Sequence, residues 1–555
     1  MKNFSYLFMA GLMTLGLWSC SDDADITAGG ENEISADKVY MSFKLELPTA
    51  GRSATDGTGT NSDANPDFEV GQNYENNVAN LHVVLASYDD VTKKYAYLTE
   101  SRNGLKGGSN DMYTVTFEST DLEAQVGKTV YVFVFCNHPS SGNDDYYKNI
   151  FEGETSITEG VTTNIAKENA FWMSNAEITY VELPEKTELE KHNTPANAFS
   201  LGTVAVERTA ARFDFDAKEA ESGLDANQYV LEEVGGTPTV VVELQHMSLV
   251  NMSNNFYYLR HVGNADGVGS VICNAETPTN YVVDSDYEDK RDKDFLPGNF
   301  MNYWYVGTSS EAAEDVPTNE NFIHFEDLWS RLEANATSIS SLSTAADDSW
   351  KNSDGYKIWC YATENTLPNV SRQIKSLSTA VLFRGQLKTL NSGDTRLDGD
   401  KAYVFNDVLY GTWDQITTLC AGVDHNTEDA NLIALKLAYD ALGGVEPSLS
   451  GAADKGFTVY EKDVTDNKYY IYYYYINRHN DNGNPDNLGI MEYAVVRNNV
   501  YKLAVTGISK YGHPGDPAGD PDPETPTEPD ETEEIYFTVS VKVLPWVVRV
   551  NNIEF

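Results

Sequence analysis

Hydrophobic and polar side chains alternate strictly at two places, one near each end of the chain. In the first, Val39, Met41, Phe43, Leu45 and Leu47 alternate with Tyr40, Ser42, Lys44 and Glu46. In the second, Ile535, Phe537, Val539, Val541 and Val543 alternate with Tyr536, Thr538, Ser540 and Lys542. Successive side chains of a strand point to opposite faces, so each stretch predicts a strand with one apolar face. The C-terminal strand has no turn and no partner strand behind it in sequence. A lone strand is unstable in water and its exposed apolar face invites aggregation, so it has to dock on something. The two strands share a period and a number of apolar positions, and either could fill the same groove.

Between them, runs rich in β-branched and aromatic residues, bounded by Gly, Pro, Asn or Asp, predict strands over 80–87, 128–136, 237–244, 356–362, 379–387, 469–476 and 499–508. Leu432, Leu435 and Ala438 or Leu442 recur at helical spacing, which predicts a helix over 427–442 stopped by Gly443-Gly444. A second helix is expected over 326–336. The class is therefore mostly β, with a few short helices and no alternating βαβ pattern. A polar stretch, 182–198, separates two strand-rich regions, and the domain boundary is expected near Leu201. Just after it, Ala211, Phe213 and Phe215 alternate with Arg212, Asp214 and Asp216. Residues 512–534 interleave Pro514, Pro517, Pro521, Pro523, Pro526 and Pro529 with Asp, Glu, Gly and Thr. Such a segment is expected to bury no core and to act as a semi-extended spacer, rising ~3.1 Å per residue where polyproline-like.

Lys2 followed by the apolar stretch Tyr6 to Trp18 reads as a signal peptide, too short for a spanning helix. It ends Leu17-Trp18-Ser19-Cys20, a lipobox-like sequence in which Cys20 would take the lipid; an ordinary signal peptide with an incidental Cys is the alternative. The acidic Ser21-Asp22-Asp23 follows, and 24–37 is polar without period and expected to be disordered. Arg52 lies five residues after the N-terminal strand, in Gly51-Arg52-Ser53-Ala54-Thr55-Asp56-Gly57, a loop open to a trypsin-like protease. These features predict a swap. The N-terminal strand fills a groove until cleavage between Arg52 and Ser53 releases it, and the C-terminal strand of another copy then takes its place. Such a head-to-tail contact does not close on itself, so it builds an open filament.

At 555 residues the chain is too long for one ordinary core, so two folded domains plus tails are expected. The 34 Tyr outnumber the Phe and Trp combined, which adds to the β lean. A formal charge of −46 argues against nucleic acid and against anionic membrane surfaces as partners. The five cysteines (Cys20, Cys136, Cys273, Cys360 and Cys420) include no CxxC pair. Cys136 and Cys360 lie in apolar runs and read as buried thiols; a disulfide among the last four stays open. No HExxH, Walker loop or GxSxG is present, and the nine His are scattered without ligand spacing. No catalytic residue, cofactor or metal site is assigned. The tyrosine-rich 469–475 is read as a strand with aromatics on both faces.

Several segments together resemble the type V pilins, or fimbrillins, of Bacteroidales, and most nearly the structural subunit of the minor fimbriae of Porphyromonas. They are KVYMSFKLELPTAGR before the trimming site, VERTAAR after the polar stretch, VVRNNVYKLAVTGISKYG from Val495, the acidic Pro-rich spacer, and the terminal VSVKVLPW. The resemblance implies two transthyretin-like β-sandwich domains, lipid on Cys20, a cut after Arg52 by an Arg-specific protease, and a donor strand from Ile535 to Phe555. The expected organisation is a signal peptide (1–19), a lipidated propeptide (20–52), an N-terminal domain (53–200), a C-terminal domain (201–511), a spacer (512–534) and the donor strand (535–555). Expected partners are identical subunits head to tail, minor fimbrial subunits and the protease, with the membrane engaged only through Cys20. The expected location is a surface fimbrium, reached through an outer-membrane lipoprotein precursor, with a role in adhesion and biofilm formation. The competing readings are a monomeric glycan-binding surface lipoprotein, a tip or minor subunit, and an enzyme.

Overall fold

A computed structural model describes residues 38–47, 69–101, 104–107, 111–138, 147–148, 157–158, 165–253, 255–265, 271–272, 281–285, 300–301, 323–343, 356–367, 369–370, 373–424, 427–480, 482, 484, 487–525 and 537–547. Side chains are described throughout this set except at 69–70, 105, 107, 157–158, 271, 300–301, 343 and 537–547. The architecture is mostly β, as the patterning predicts.

The first unit is one nine-stranded sheet. Its strands are β1 (Lys38–Glu46), β3 (Leu81–Asp89), β4 (Lys94–Glu100), β5 (Leu105–Gly107), β6 (Met112–Glu118), β7 (Thr129–Cys136), β8 (Met173–Asn175), β9 (Thr179–Glu182) and β10 (Phe199–Arg208). They run β4-β3-β7-β8-β10-β1-β6-β5, with β9 also on β7. Val39, Met41 and Phe43 of β1, Val115 and Phe117 of β6, Val83 of β3 and Val132 of β7 share one buried core. The sheet therefore curls until side chains from distant parts of it meet. β2 (Glu69–Val70) lies outside it.

The second unit packs two sheets over one core. One contains β2, β11 (Ala211–Asp216), β14 (Lys357–Ala362), β20 (Asn499–Ile508) and β21 (Phe537–Val547), in the order β2-β21-β20-β11-β14. The other runs β12 (Gln228–Val234), β13 (Thr237–Val250), β15 (Ala380–Thr389), β19 (Tyr470–Ile476). Phe213, Phe215, Tyr501 and Leu503 of the first meet Val242, Phe383, Ile471 and Tyr473 of the second. On the outer side of β19, Tyr472 and Tyr474 pack with α1 (Phe325–Leu332) through Phe325 and Trp329. The tyrosine run is thus buried on both faces. A small sheet of β16 (Lys401–Phe405), β17 (Val408–Gly411) and β18 (Phe457–Glu461) carries α2 (Trp413–Ala421) and α3 (Ala430–Ala441).

The strands expected over 80–87, 128–136, 356–362, 379–387, 469–476 and 499–508 all form, within two residues of the expected bounds. The one begun at Thr237 runs on to Val250 because β15 pairs with it from Val240 to Val250. α3 starts later than expected because the Asp429 carboxylate accepts from the N–H groups of Asn431 and Leu432 and caps it there. It stops at Gly443 and Gly444, whose φ of +74° and +72° are open to glycine at little cost. Cys136 and Cys420 are buried free thiols and Cys360 is a half-buried one; Cys20 and Cys273 lie outside the described residues.

Two expectations about organisation need correcting. The boundary near Leu201 is displaced, because β10 hydrogen-bonds to β8 and β1 in the first sheet. The chain crosses into the second unit at Thr209-Ala210. The polar stretch 182–198 is a connection within the first unit, closed by a short helix, Lys186–Leu189. Second, residues 512–525 of the expected spacer lie against the body. His513, Asp520 and Glu524 are buried, and His513 and Tyr472 exchange backbone hydrogen bonds of 2.9 and 3.0 Å. His513 Nδ1 is 2.7 Å from Asp520 Oδ2 and its Nε2 is 3.0 Å from Glu524 Oε1. The ammonium of buried Lys375 donates to the other oxygen of Glu524. Proline-rich composition forbids a regular core but not docking through ion pairs.

Burial alone would lower the His513 pKa, but the carboxylates of Asp520 and Glu524 carry it up to about 10. Burial alone would raise Glu524, but His513 and Lys375 bring it down to about 2. The stabilisation from His513 is full below pH 6.5 and fades as the pH rises to about 10, whereas that from Glu524 is full above pH 4.5 and fades towards about 2. Amide protection factors across 513–520 are therefore expected to be highest between those two inner limits and to fall on both sides. A second expectation concerns Gly385 on β15, where an added Cβ would lie 2.5 Å from Val242 Cγ2 and 3.3 Å from the Glu243 carbonyl. Gly385→Ala should cost about 1–3 kcal/mol by overpacking, read from urea unfolding.

Candidate functional site

β1 occupies an interior slot of the first sheet. It pairs in parallel with β10, Met41 opposite Phe199 and Leu45 opposite Val204, and antiparallel with β6, Lys38 to Lys44 opposite Glu118 to Met112. The parallel register slips between Ser42 and Lys44, where β10 carries an extra residue and Gly202 takes φ +83°. Val39, Met41, Phe43 and Leu45 are at most 2% exposed, and Leu47 is half-buried against the same core. Phe43 stacks on Tyr113 with centroids 6.0 Å apart. Removing β1 would strip backbone partners from both β10 and β6 and uncover their apolar faces. The slot holds a strand, β1, with an apolar residue at every second position. Arg52, Ser53 and Cys20 lie outside the described residues.

β21 is the second element of the site. Ile535 lies outside the described residues, whereas Phe537, Val539, Val541 and Val543 fall in β21, opposite Ile508, Val505, Leu503 and Tyr501 of β20. The strand that has no partner beside it in sequence thus docks on β20 of its own chain. The Pro-rich segment hides this from the sequence, since no turn announces the pairing. Its other edge is paired, among the described residues, only where Trp546 and Val547 meet Glu69 and Val70 of β2. β1 is paired on both sides through its middle, Met41 to Lys44, and β21, among the described residues, mainly on one side.

Buried charge joins the two units beside these strands. Arg212 of β11 makes two hydrogen bonds to Asp214, at 2.8 and 2.7 Å, and reaches Glu75 of the first unit at 3.1 Å. The Tyr361 hydroxyl donates to the second oxygen of Glu75 at 2.6 Å. Arg208 donates to the Asn498 side chain at 3.1 Å and to the Glu75 carbonyl at 3.2 Å. Burial pulls the Arg208 pKa down to about 9, against the pull of Glu75. Arg497 pairs with Glu364 at 2.7 Å and donates to the carbonyls of Tyr257 and Tyr258. Burial pushes Glu207 up to about 7, opposed by Arg260 and Arg497. Arg212 and Asp214, polar members of the alternation at 211–216, are both fully buried. Arg212 is held between Asp214 and Glu75, which is far off in sequence. The motifs VERTAAR and VVRNN thus supply the junction.

Residues 467–552 match the family model of the major fimbrial subunit protein type IV, fimbrillin, C-terminal. The resemblance to fimbrillins is borne out. The matched span contains β19 and β20 of the second unit together with the C-terminal strand β21. Among solved structures, the chain is similar to a candidate cell adhesion protein from Parabacteroides distasonis, at 12% identity over 92% of this chain and 99% of that one, with a TM-score of 0.38. It is similar to a fimbrilin from Porphyromonas gingivalis at 13% identity over 93% and 99%, with a TM-score of 0.37. A tip fimbrial protein from the same organism, with a C-terminal truncation, aligns at 10% identity over 92% and 100%, with a TM-score of 0.28. Among the described residues, no helix is long and apolar enough to cross a membrane.

The slot gives a direct expectation. In the full-length chain, Phe43→Ala should lower unfolding free energy by about 3–5 kcal/mol through the cavity left in the first core. Tyr40→Ala, on the opposite, half-buried side of β1, should cost clearly less. Equal losses in urea titrations of the two variants would mean that β1 does not fill the slot through its apolar face.

Proposed function

We propose that this chain is a subunit of a surface fimbria that polymerises by strand exchange. It is exported as an outer-membrane lipoprotein anchored through Cys20. An Arg-specific protease cuts between Arg52 and Ser53, and β1 leaves with the propeptide. The C-terminal strand of a neighbouring copy, with Ile535, Phe537, Val539, Val541 and Val543 directed into the core, then enters the vacated slot. The resulting head-to-tail filament supports adhesion and biofilm formation, and minor subunits join it at its ends.

The observation that carries this reading is the placement of β1, paired on both sides in the first sheet and followed within a few residues by a basic cleavage candidate. The fimbrillin match over 467–552 supports the same reading. The energetics favour exchange. A strand moving from β20 of its own chain to the slot trades mainly one-sided pairing for two-sided pairing. Five large apolar side chains buried there contribute on the order of 10 kcal/mol gross, before ordering costs. A chain able both to receive and to donate is a stalk subunit.

Arg52→Ala is expected to leave full-length lipidated monomer on cells, with no ladder on an unboiled gel. Deleting 535–555 should abolish the ladder too, while leaving a soluble monomer with a lowered melting temperature, since β20 loses an edge partner. A ladder from either variant would sink strand exchange at that end. A single band from trimmed wild-type protein would favour a monomeric glycan-binding lipoprotein.

A further inference from the structure

The eleven residues Pro526 to Tyr536 separate the last spacer residue seen docked, Thr525, from β21. The part before them is fastened by four buried charged groups. Lys375 and His513 face Asp520 and Glu524, all at most 8% exposed, in two cations against two anions. The His513 ring lies 5.5 Å from that of Phe325 and 6.1 Å from that of Tyr474, so the cluster sits on α1 and β19. The backbone is tied as well. The N–H of Glu326 donates to the Gly515 carbonyl and that of Ile323 to the Glu524 carbonyl, each at 3.3 Å. The Tyr460 hydroxyl donates to the carbonyl of Gly512.

The glycines of this stretch serve close approach. A Cβ at Gly519 would lie 2.7 Å from the Val459 carbonyl oxygen, at Gly512 it would meet the Tyr472 carbonyl, and at Gly515 the Glu326 side chain. The Asp516 carboxylate accepts from the Ala518 N–H at 2.8 Å and fixes the turn Pro517–Gly519. A flexible linker requires none of these features. Ion pairs removed from water at this depth hold only while every partner is present, since one missing partner leaves a buried charge uncompensated.

We propose that residues 512–525 form an ionic strap that fastens the root of the C-terminal strand to the subunit body, so that the strand is delivered from Thr525 and not from Gly512. This rests on the strand-exchange reading. The strap limits the tether to Pro526 through Tyr536, which spans about 40 Å when fully extended, against about 85 Å if the chain were free from Gly512. It thereby restricts how far apart neighbouring subunits sit in the filament.

The test uses the full chain and three variants. Glu524→Gln removes one charge, Glu524→Lys sets a third cation among the others, and a Gly-Ser-Gly-Ser insertion after Glu528 lengthens the tether with the strap intact. Hydrogen exchange on uncleaved monomer reads the strap, and the axial repeat of trimmed filaments in electron micrographs reads the tether. We expect wild-type amides across 512–525 to be protected and Glu524→Lys to lose at least tenfold of that protection, with melting of the body little changed and Glu524→Gln in between. Glu524→Lys filaments should show a longer or irregular repeat, as should the insertion, which keeps its protection. Unprotected wild-type amides would overturn the strap. Loss of protection in Glu524→Lys with an unchanged repeat would overturn its control of the tether. Trimmed wild-type chains that form no filaments would sink strand exchange and the tether role with it, while exchange on the monomer still decides whether the strap exists.

Discussion

A sheet with an interior strand missing has two unpaired edges and an uncovered core. In the first unit that interior place belongs to β1, and the fold around it is organised to hold a strand from elsewhere in the chain. β10 and β6 contact one another through β1, and the core beneath is completed by Val39, Met41, Phe43 and Leu45. The proposed exchange for a strand of the same period asks little of this place, because backbone pairing is indifferent to sequence and the core demands only apolar side chains at alternate positions. The same constraint forbids the slot from standing empty. Fold and proposed assembly are in this sense one problem.

Around the slot, the molecule resists deformation through buried polar contacts as much as through apolar packing. Glu75, Arg208, Arg212 and Asp214 form one electrically balanced group at the junction of the units, and Glu207, Glu364, Arg260 and Arg497 lie in a second. Each draws residues from distant parts of the chain. Paired buried charges of this kind give little net stability compared with apolar packing, but losing one partner is costly. They therefore favour one relative placement of the units over alternatives.

Docking of 512–525 extends the same chemistry to the C-terminal segment. A run of Pro, Gly and Asp looks like spacer because it lacks apolar periodicity. Here it is held by Lys375 and by the rings of Phe325 and Tyr474, none of them near it in sequence. Composition excludes a regular element, but it does not exclude a well-placed turn with a buried imidazole.

The sequence by itself determined the local elements. Period-two alternation fixed β1 and β21, β-branched and aromatic runs fixed β7, β15, β19 and β20, and Asp429 with Gly443-Gly444 bounded α3. These follow from sterics, hydrophobic periodicity and capping, which act over a few residues. Which strands pair was decided only in three dimensions. β10 joined the first sheet although the polar stretch before it suggested a boundary, β21 found β20 across the Pro-rich segment, and Arg212 is buried between Asp214 and the distant Glu75. Such outcomes depend on long-range pairing and on the partners available to a buried charge. Neither leaves a periodic trace along the chain.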